Sequence, residues 1–188
     1  MTSDELLKDL EKQVEAQRTF VANEVSKQPE SELLKRPNPQ KWNVLECLAH
    51  LNQYAAFYIP RLEKAASQKS PPKNKTYKSG WLGGKFISMM APENKKPQKT
   101  MKHTDTFGRE VSKKEVNVFL NWQDSLLQTI QKLQNSDLNK RKIPVEFMPL
   151  IKLKTGDALQ FVVVHQQRHL NQVENLVRQL EETISFDK

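Results

Sequence analysis

Residues 42–58, WNVLECLAHLNQYAAFY, and residues 161–172, FVVVHQQRHLNQ, decide how this chain is read. In the second stretch His165 and His169 stand four residues apart inside an apolar run. On a helix that spacing puts both imidazoles on one face, with their Cβ atoms about 5–6 Å apart. The first stretch sets His50 between Leu48 and Leu51 in an equally helical run. Of the 4 histidines only His103, in MKHTDTF, stands apart, and it reads as a surface residue. An unpartnered polar ring in an apolar interior costs desolvation energy, so inward-facing histidines on two helices call for a shared partner. Neutral imidazole is a common metal ligand, and three of them with a fourth position open is the catalytic arrangement of zinc rather than the closed structural one. The leading expectation is a metal site built from His50, His165 and His169.

Working outward, helical periodicity organises most of the chain. Leu6, Leu10, Val14, Val21 and Val25 recur at helical spacing, with Ser3 as the expected cap, giving a first helix over about residues 4–27. Pro29, Pro37 and Pro39 allow at most one short helical turn in 29–41. Asn43 and Glu46 form a capping box that opens a second helix, running to about Ala66 and apolar on so much of its circumference that it must be covered on more than one side. Pro60 is expected to bend or loosen its last turns. Ser112 and Glu115 make a second capping box before a third helix that ends near Asn135. Residues 137–154, with Pro144 and Pro149, read as irregular, and Thr155-Gly156-Asp157 starts the fourth helix. Between the second and third helices lies a long Pro-, Lys- and Gly-rich crossover, about residues 67–110, in which WLGGKFISMMA is a candidate short amphipathic helix. The fold expected is all-α, a four-helix bundle with long crossover connections in one domain over residues 1–188, with any metal site between facing helices.

Bulk composition agrees. A chain of 188 residues with 37% hydrophobic and 28% charged residues but only 5 glycines suits a helix-rich globular protein better than a turn-rich sheet sandwich. The start, MTSDELLKDLEKQ, lacks the basic and apolar regions of a signal peptide, and no apolar run approaches the roughly 18–20 residues that span a bilayer. The lone Cys47, flanked by Leu45, Leu48 and Leu51, has no intrachain disulfide partner and reads as a small buried hydrophobe, so a reducing cytoplasm is the expected location. Charge is uneven. Residues 64–102 carry ten lysines and one acid, Glu93, a net charge of +9 in a chain whose total is +8.

The order and spacing of Trp42, Glu46 and His50 in one helix, then His165, His169 and Gln172 in the last, resemble the DinB-like metalloenzyme superfamily, which includes YfiT-like metal-dependent hydrolases. The resemblance covers nearly the whole chain. It implies a four-helix bundle holding a divalent ion, often nickel or zinc, on His50, His165 and His169, and it implies a homodimer. Gln172 shares a helix face with both late histidines and either orients a ligand or a bound water, or is an ordinary polar residue near a helix end. Glu46, one turn before His50, either accepts from the second nitrogen of that imidazole or caps the helix, and the cap is the favoured reading; Trp42, Tyr54 and Trp122 read as core.

A three-histidine ion with bound water makes hydrolysis the simplest reaction class, acting on a small-molecule substrate. Transfer of a low-molecular-weight thiol uses the same ligands and is the alternative the resemblance implies. The lysine-rich crossover offers a different class of function, a nucleic-acid or anionic-membrane contact with Tyr77, Trp81 and Phe86 as stacking groups. A milder role for it is covering the metal site and attracting an anionic substrate. A bundle that keeps its ligands without turnover, as a binding protein, is a third reading.

Overall fold

The computed structural model describes residues 1–68, 75–98 and 100–186. Helix α1, Ser3–Phe20, continues into a π-helical turn, Val21–Val25, and α2, Glu30–Leu33, is the single turn that the prolines permit. Helix α3, Val44–Ser67, runs through Pro60. Helix α4, Trp81–Met90, fulfils the amphipathic stretch in the crossover, followed by α5, Lys114–Leu133, and α6, Thr155–Phe186. Helices α1, α3, α5 and α6 form a four-helix bundle in which α3 packs on α5 and α6, and α1 packs on the same two from the opposite corner. No helix among the described residues is long and apolar enough to cross a membrane.

Three local expectations are corrected. The cap of α1 is Thr2 rather than Ser3: its side chain accepts from Glu5 N–H at 3.1 Å, and Glu5 accepts from Thr2 N–H at 2.7 Å. The Ser112–Glu115 box does not form, because the Glu115 carboxylate takes the Asn52 side-chain amide from α3 at 2.7 Å. Residues 137–154 are not irregular but carry an antiparallel hairpin, β1 Arg141–Val145 and β2 Met148–Lys154, turning at Glu146 and Phe147. Buried Ile143, Val145 and Leu153 tie it to the core, and Pro144 is tolerated because in a two-stranded ribbon every strand is an edge.

Two apolar clusters fill the bundle. One joins Leu6, Leu10 and Val14 of α1 to Tyr58, Ile59 and Leu62, Leu126 and Ile130, and Leu159, Val162 and Val163. The other joins Val21 and Val25 to Leu45, Leu48 and Leu51, Val116 and Phe119, and Leu170, Val173 and Val177. Where each helix passes from one cluster to the other it carries a buried polar residue: Gln17, Gln123 and Gln166, and on α3 Asn52, two residues after His50. At roughly 1.5–3 kcal/mol for each large apolar side chain buried, the clusters supply the stability and the polar layer between them does not.

Just before α4 the crossover is fastened to the first turn of α6. Asp157, 1% exposed, accepts hydrogen bonds from the Tyr77 hydroxyl, from Ser79 Oγ at 2.7 Å and from the Gly80 N–H at 3.0 Å. Tyr77 is therefore buried, and Phe86 packs on Phe147 and Phe161, so neither is a free stacking group for nucleic acid; Trp81 alone of that trio stays open, at 81% exposure. Lys69, Lys73 and Lys99 of the basic stretch lie outside the described residues.

A Cβ on Gly83 would meet the Asp157 carboxylate at 2.3 Å, so α4 sits against α6 only because this residue has no side chain. Gly83→Ala is expected to cost about 1–3 kcal/mol and lower Tm by several degrees in a thermal melt. Gly84→Ala, whose Cβ would meet only Ser79 Oγ at 3.3 Å, is expected to melt at or slightly above wild type. Cys47 is buried, and burial pushes its thiol up to about 12, so it is expected to resist a thiol-alkylating reagent at pH 8 until denaturant is added.

Candidate metal centre

Helix α3 begins as its sequence dictates, with Asn43 Oδ1 accepting from Glu46 N–H at 2.8 Å and Glu46 Oε2 accepting from Asn43 N–H at 2.9 Å. Two turns of α3 later, His50 meets the HxxxH turn of α6. The ring centroids lie 5.1 Å apart for His50 and His165, 4.7 Å for His50 and His169, and 4.7 Å for His165 and His169. One ligand nitrogen from each of the three lies within 4.8 Å of the others. His50 Nε2 and His165 Nε2 are 3.3 Å apart. Two nitrogens at about 2.0–2.1 Å from a tetrahedral ion would stand about 3.3–3.4 Å apart, so this edge already has the spacing such an ion requires.

Hydrogen bonds outside the cluster set which nitrogen faces inward. His50 Nδ1 lies 2.8 Å from the Thr104 carbonyl, which can only accept, so Nδ1 carries the proton and Nε2 keeps its lone pair. His169 Nδ1 donates likewise to Gln172 Oε1 at 2.9 Å. Gln172 thus orients a histidine of the cluster, the first of the two roles its position allowed.

All three rings are held neutral. Burial depresses the His50 pKa, against smaller upward pulls from the Thr104 carbonyl and Asp105. Burial takes His165 well below the usual imidazole range, helped by His169, His50 and Arg168. Burial, then His50, brings His169 down to about 3 despite the Gln172 bond. Neutral imidazole is the form that binds a cation. His50 and His165 are 2% and 3% exposed, while His169 is only partly covered, so the cluster opens on the His169 side.

Aromatic rings wall the site. Trp42 stacks on His169 at 5.8 Å and lies 4.9 Å from His50, Tyr54 lies 4.4 Å from His165, and Phe161 is parallel to His165 at 5.7 Å. Trp42 and Tyr54 pack on the apolar clusters, as expected of core residues, and also form this wall, while Trp122 packs on the first cluster. His103 is exposed as expected but pairs with Glu146 of the hairpin turn at 2.5 Å. Sequence reasoning missed Thr104, whose part is played by a main-chain carbonyl that no side chain announces. It also missed Arg168, inside the HxxxH run itself, which donates to the carbonyls of Asn94 at 2.6 Å and Lys96 at 2.9 Å and so docks the basic crossover beside the histidines.

A family model described as the DinB superfamily matches residues 13–173. No curated protein and no solved structure matches the chain.

Arg168→Ala is expected to release residues 91–96 from α6, read as faster hydrogen exchange of their amides with the bundle amides unchanged. Equal exchange in that segment would show that α4, not Arg168, holds it.

Proposed function

The chain belongs to the DinB superfamily, and from that premise we propose that His50, His165 and His169 bind a divalent ion, zinc or nickel, in a metal-dependent hydrolase. The observation that carries the reading is the convergence of three ring nitrogens within 4.8 Å on a partly open site. The donor set fits: three neutral nitrogen ligands, two of them with the far nitrogen already committed to an acceptor. Such an ion supplies a Lewis acid that polarises a carbonyl and lowers the pKa of bound water toward neutrality.

The chain's own residues do the rest. Gln172 and the Thr104 carbonyl orient the imidazoles, and Trp42, Tyr54 and Phe161 keep bulk water from the buried side. Access is left at His169, past Trp42 and Gln172. Arg168, beside His169 in sequence, puts positive charge near that opening and holds the lysine-bearing stretch by the carbonyls of Asn94 and Lys96, which favours a substrate with an anionic group.

Elemental analysis of untagged protein purified without chelator is expected to give close to one zinc or nickel per chain, lost in His50→Ala and His169→Ala. Both variants should keep the wild-type helical circular dichroism, since the apolar clusters and not the ion supply the core. Gln172→Ala should weaken binding about tenfold to a hundredfold. Wild-type metal content in His169→Ala would sink the assignment. With the ion confirmed, ester and amide substrates with and without a carboxylate test hydrolysis, and parallel reactions with a small thiol test group transfer.

A further inference from the structure

Glu46 is fully buried and uses one carboxylate in two directions. Oε2 closes the capping box of α3, while Oε1 accepts from the Gly108 N–H and from Arg36 Nη2, each at 2.6 Å. Its main-chain carbonyl also accepts from the Thr106 hydroxyl at 2.8 Å. Residues 106 and 108 are thus fastened to the same residue, and the Arg36 guanidinium lies 4.4 Å over the ring of Phe107 between them. Gly108 has φ +71°, a left-handed conformation that glycine adopts without strain and that belongs to the turn presenting its N–H to the carboxylate. Two residues before Thr106, Thr104 turns its carbonyl onto His50, one helical turn beyond Glu46.

We propose that Glu46 is a positioning residue for the metal centre: by clamping residues 106–108 to the start of α3, it holds the Thr104 carbonyl against His50 Nδ1 and fixes the tautomer that presents Nε2 to the ion. The inference rests on the metal-binding reading for its purpose, but the clamp exists without the ion. His50 is too buried for water to replace the carbonyl freely. Without Thr104, the ring would either bury an unpaired N–H or change tautomer and offer the wrong nitrogen. Glu46 acts through five residues of loop and makes no hydrogen bond to a histidine.

The test compares wild type, Glu46→Gln and Thr106→Val. Glutamine keeps an acceptor for the cap but removes the charge and one acceptor oxygen, and valine keeps the shape of Thr106 while removing the hydroxyl that fastens the loop. Two quantities are read: the 15N shifts of the His50 ring in metal-free protein at neutral pH, which report the tautomer, and the Kd for added zinc. In wild type His50 is expected as a single tautomer protonated at Nδ1. Each variant is expected to show mixed tautomers and a Kd raised about tenfold to a hundredfold, with wild-type circular dichroism. A helix cap alone would move neither shift nor Kd in Thr106→Val. An unchanged tautomer with unchanged Kd in that folded variant overturns the proposal, even if Glu46→Gln fails to fold. Should wild type bind no ion, the metal reading falls, and the tautomer comparison still decides the clamp: mixed in the variants supports it, unchanged overturns it.

Discussion

Everything about this site depends on burying three uncharged imidazoles between α3 and α6. A charged ring there would lose its hydration, and the one carboxylate that favours it, Asp105 near His50, is the weakest influence on that ring, so desolvation leads the downward shift of every one of the three. Neutral rings are cheaper to bury but still polar, and each carries one donor and one acceptor that must be placed. The Thr104 carbonyl and Gln172 take the donors of His50 and His169. His50 Nε2, left with its lone pair, faces His165 Nε2 across 3.3 Å, a spacing that a proton on His165 Nε2 fills as a hydrogen bond and that a cation shared by the two nitrogens also fits. The geometry of the bundle and the chemistry of the donors are thus both compatible with a bound cation.

That arrangement is possible because stability is supplied elsewhere. The apolar clusters lie on either side of a polar level, where Gln17, Asn52, Gln123 and Gln166 stand at the step between them and His50 lies two residues before Asn52. Neither cluster includes a histidine. The crossover is likewise not slack chain between helices. Asp157 grips the chain just before α4 through Tyr77, Ser79 and Gly80, and Arg168 grips it after α4 through Asn94 and Lys96, so α4 lies along α6 from the first turn to the HxxxH turn. Both anchors sit on the helix that carries two of the three histidines.

The sequence made the helices, the α3 capping box and the histidine cluster legible, because each depends on side chains at fixed spacing along one helix. What it hid depends on partners far apart in the chain. Glu115 has the right spacing from Ser112 to cap α5, yet Asn52 from another helix takes its carboxylate. The hairpin was hidden because its turn is Glu146-Phe147, not a glycine-bearing pair, and because two prolines interrupt the alternation that marks a strand. Tyr77 and Phe86 looked like free aromatics among lysines, and only the fold shows them turned inward against α6 and the hairpin. Thr104 acts through its backbone, where residue type carries no signal at all.

The same distinction explains why Glu46 is easily underread. Its local role, capping α3 with Asn43, accounts fully for a glutamate at that position and needs only one of its oxygens. The other oxygen is what ties the helix to residues 106–108 and Arg36, and a cap alone does not require it. A buried carboxylate with donors from three parts of the chain is worth more than its separate bonds, because each donor is held in place by the charge that the others help to stabilise. The start of α3 and the loop that orients His50 are in this way one unit, and Glu46, one turn before His50, serves the histidine through the loop without a hydrogen bond between the two side chains.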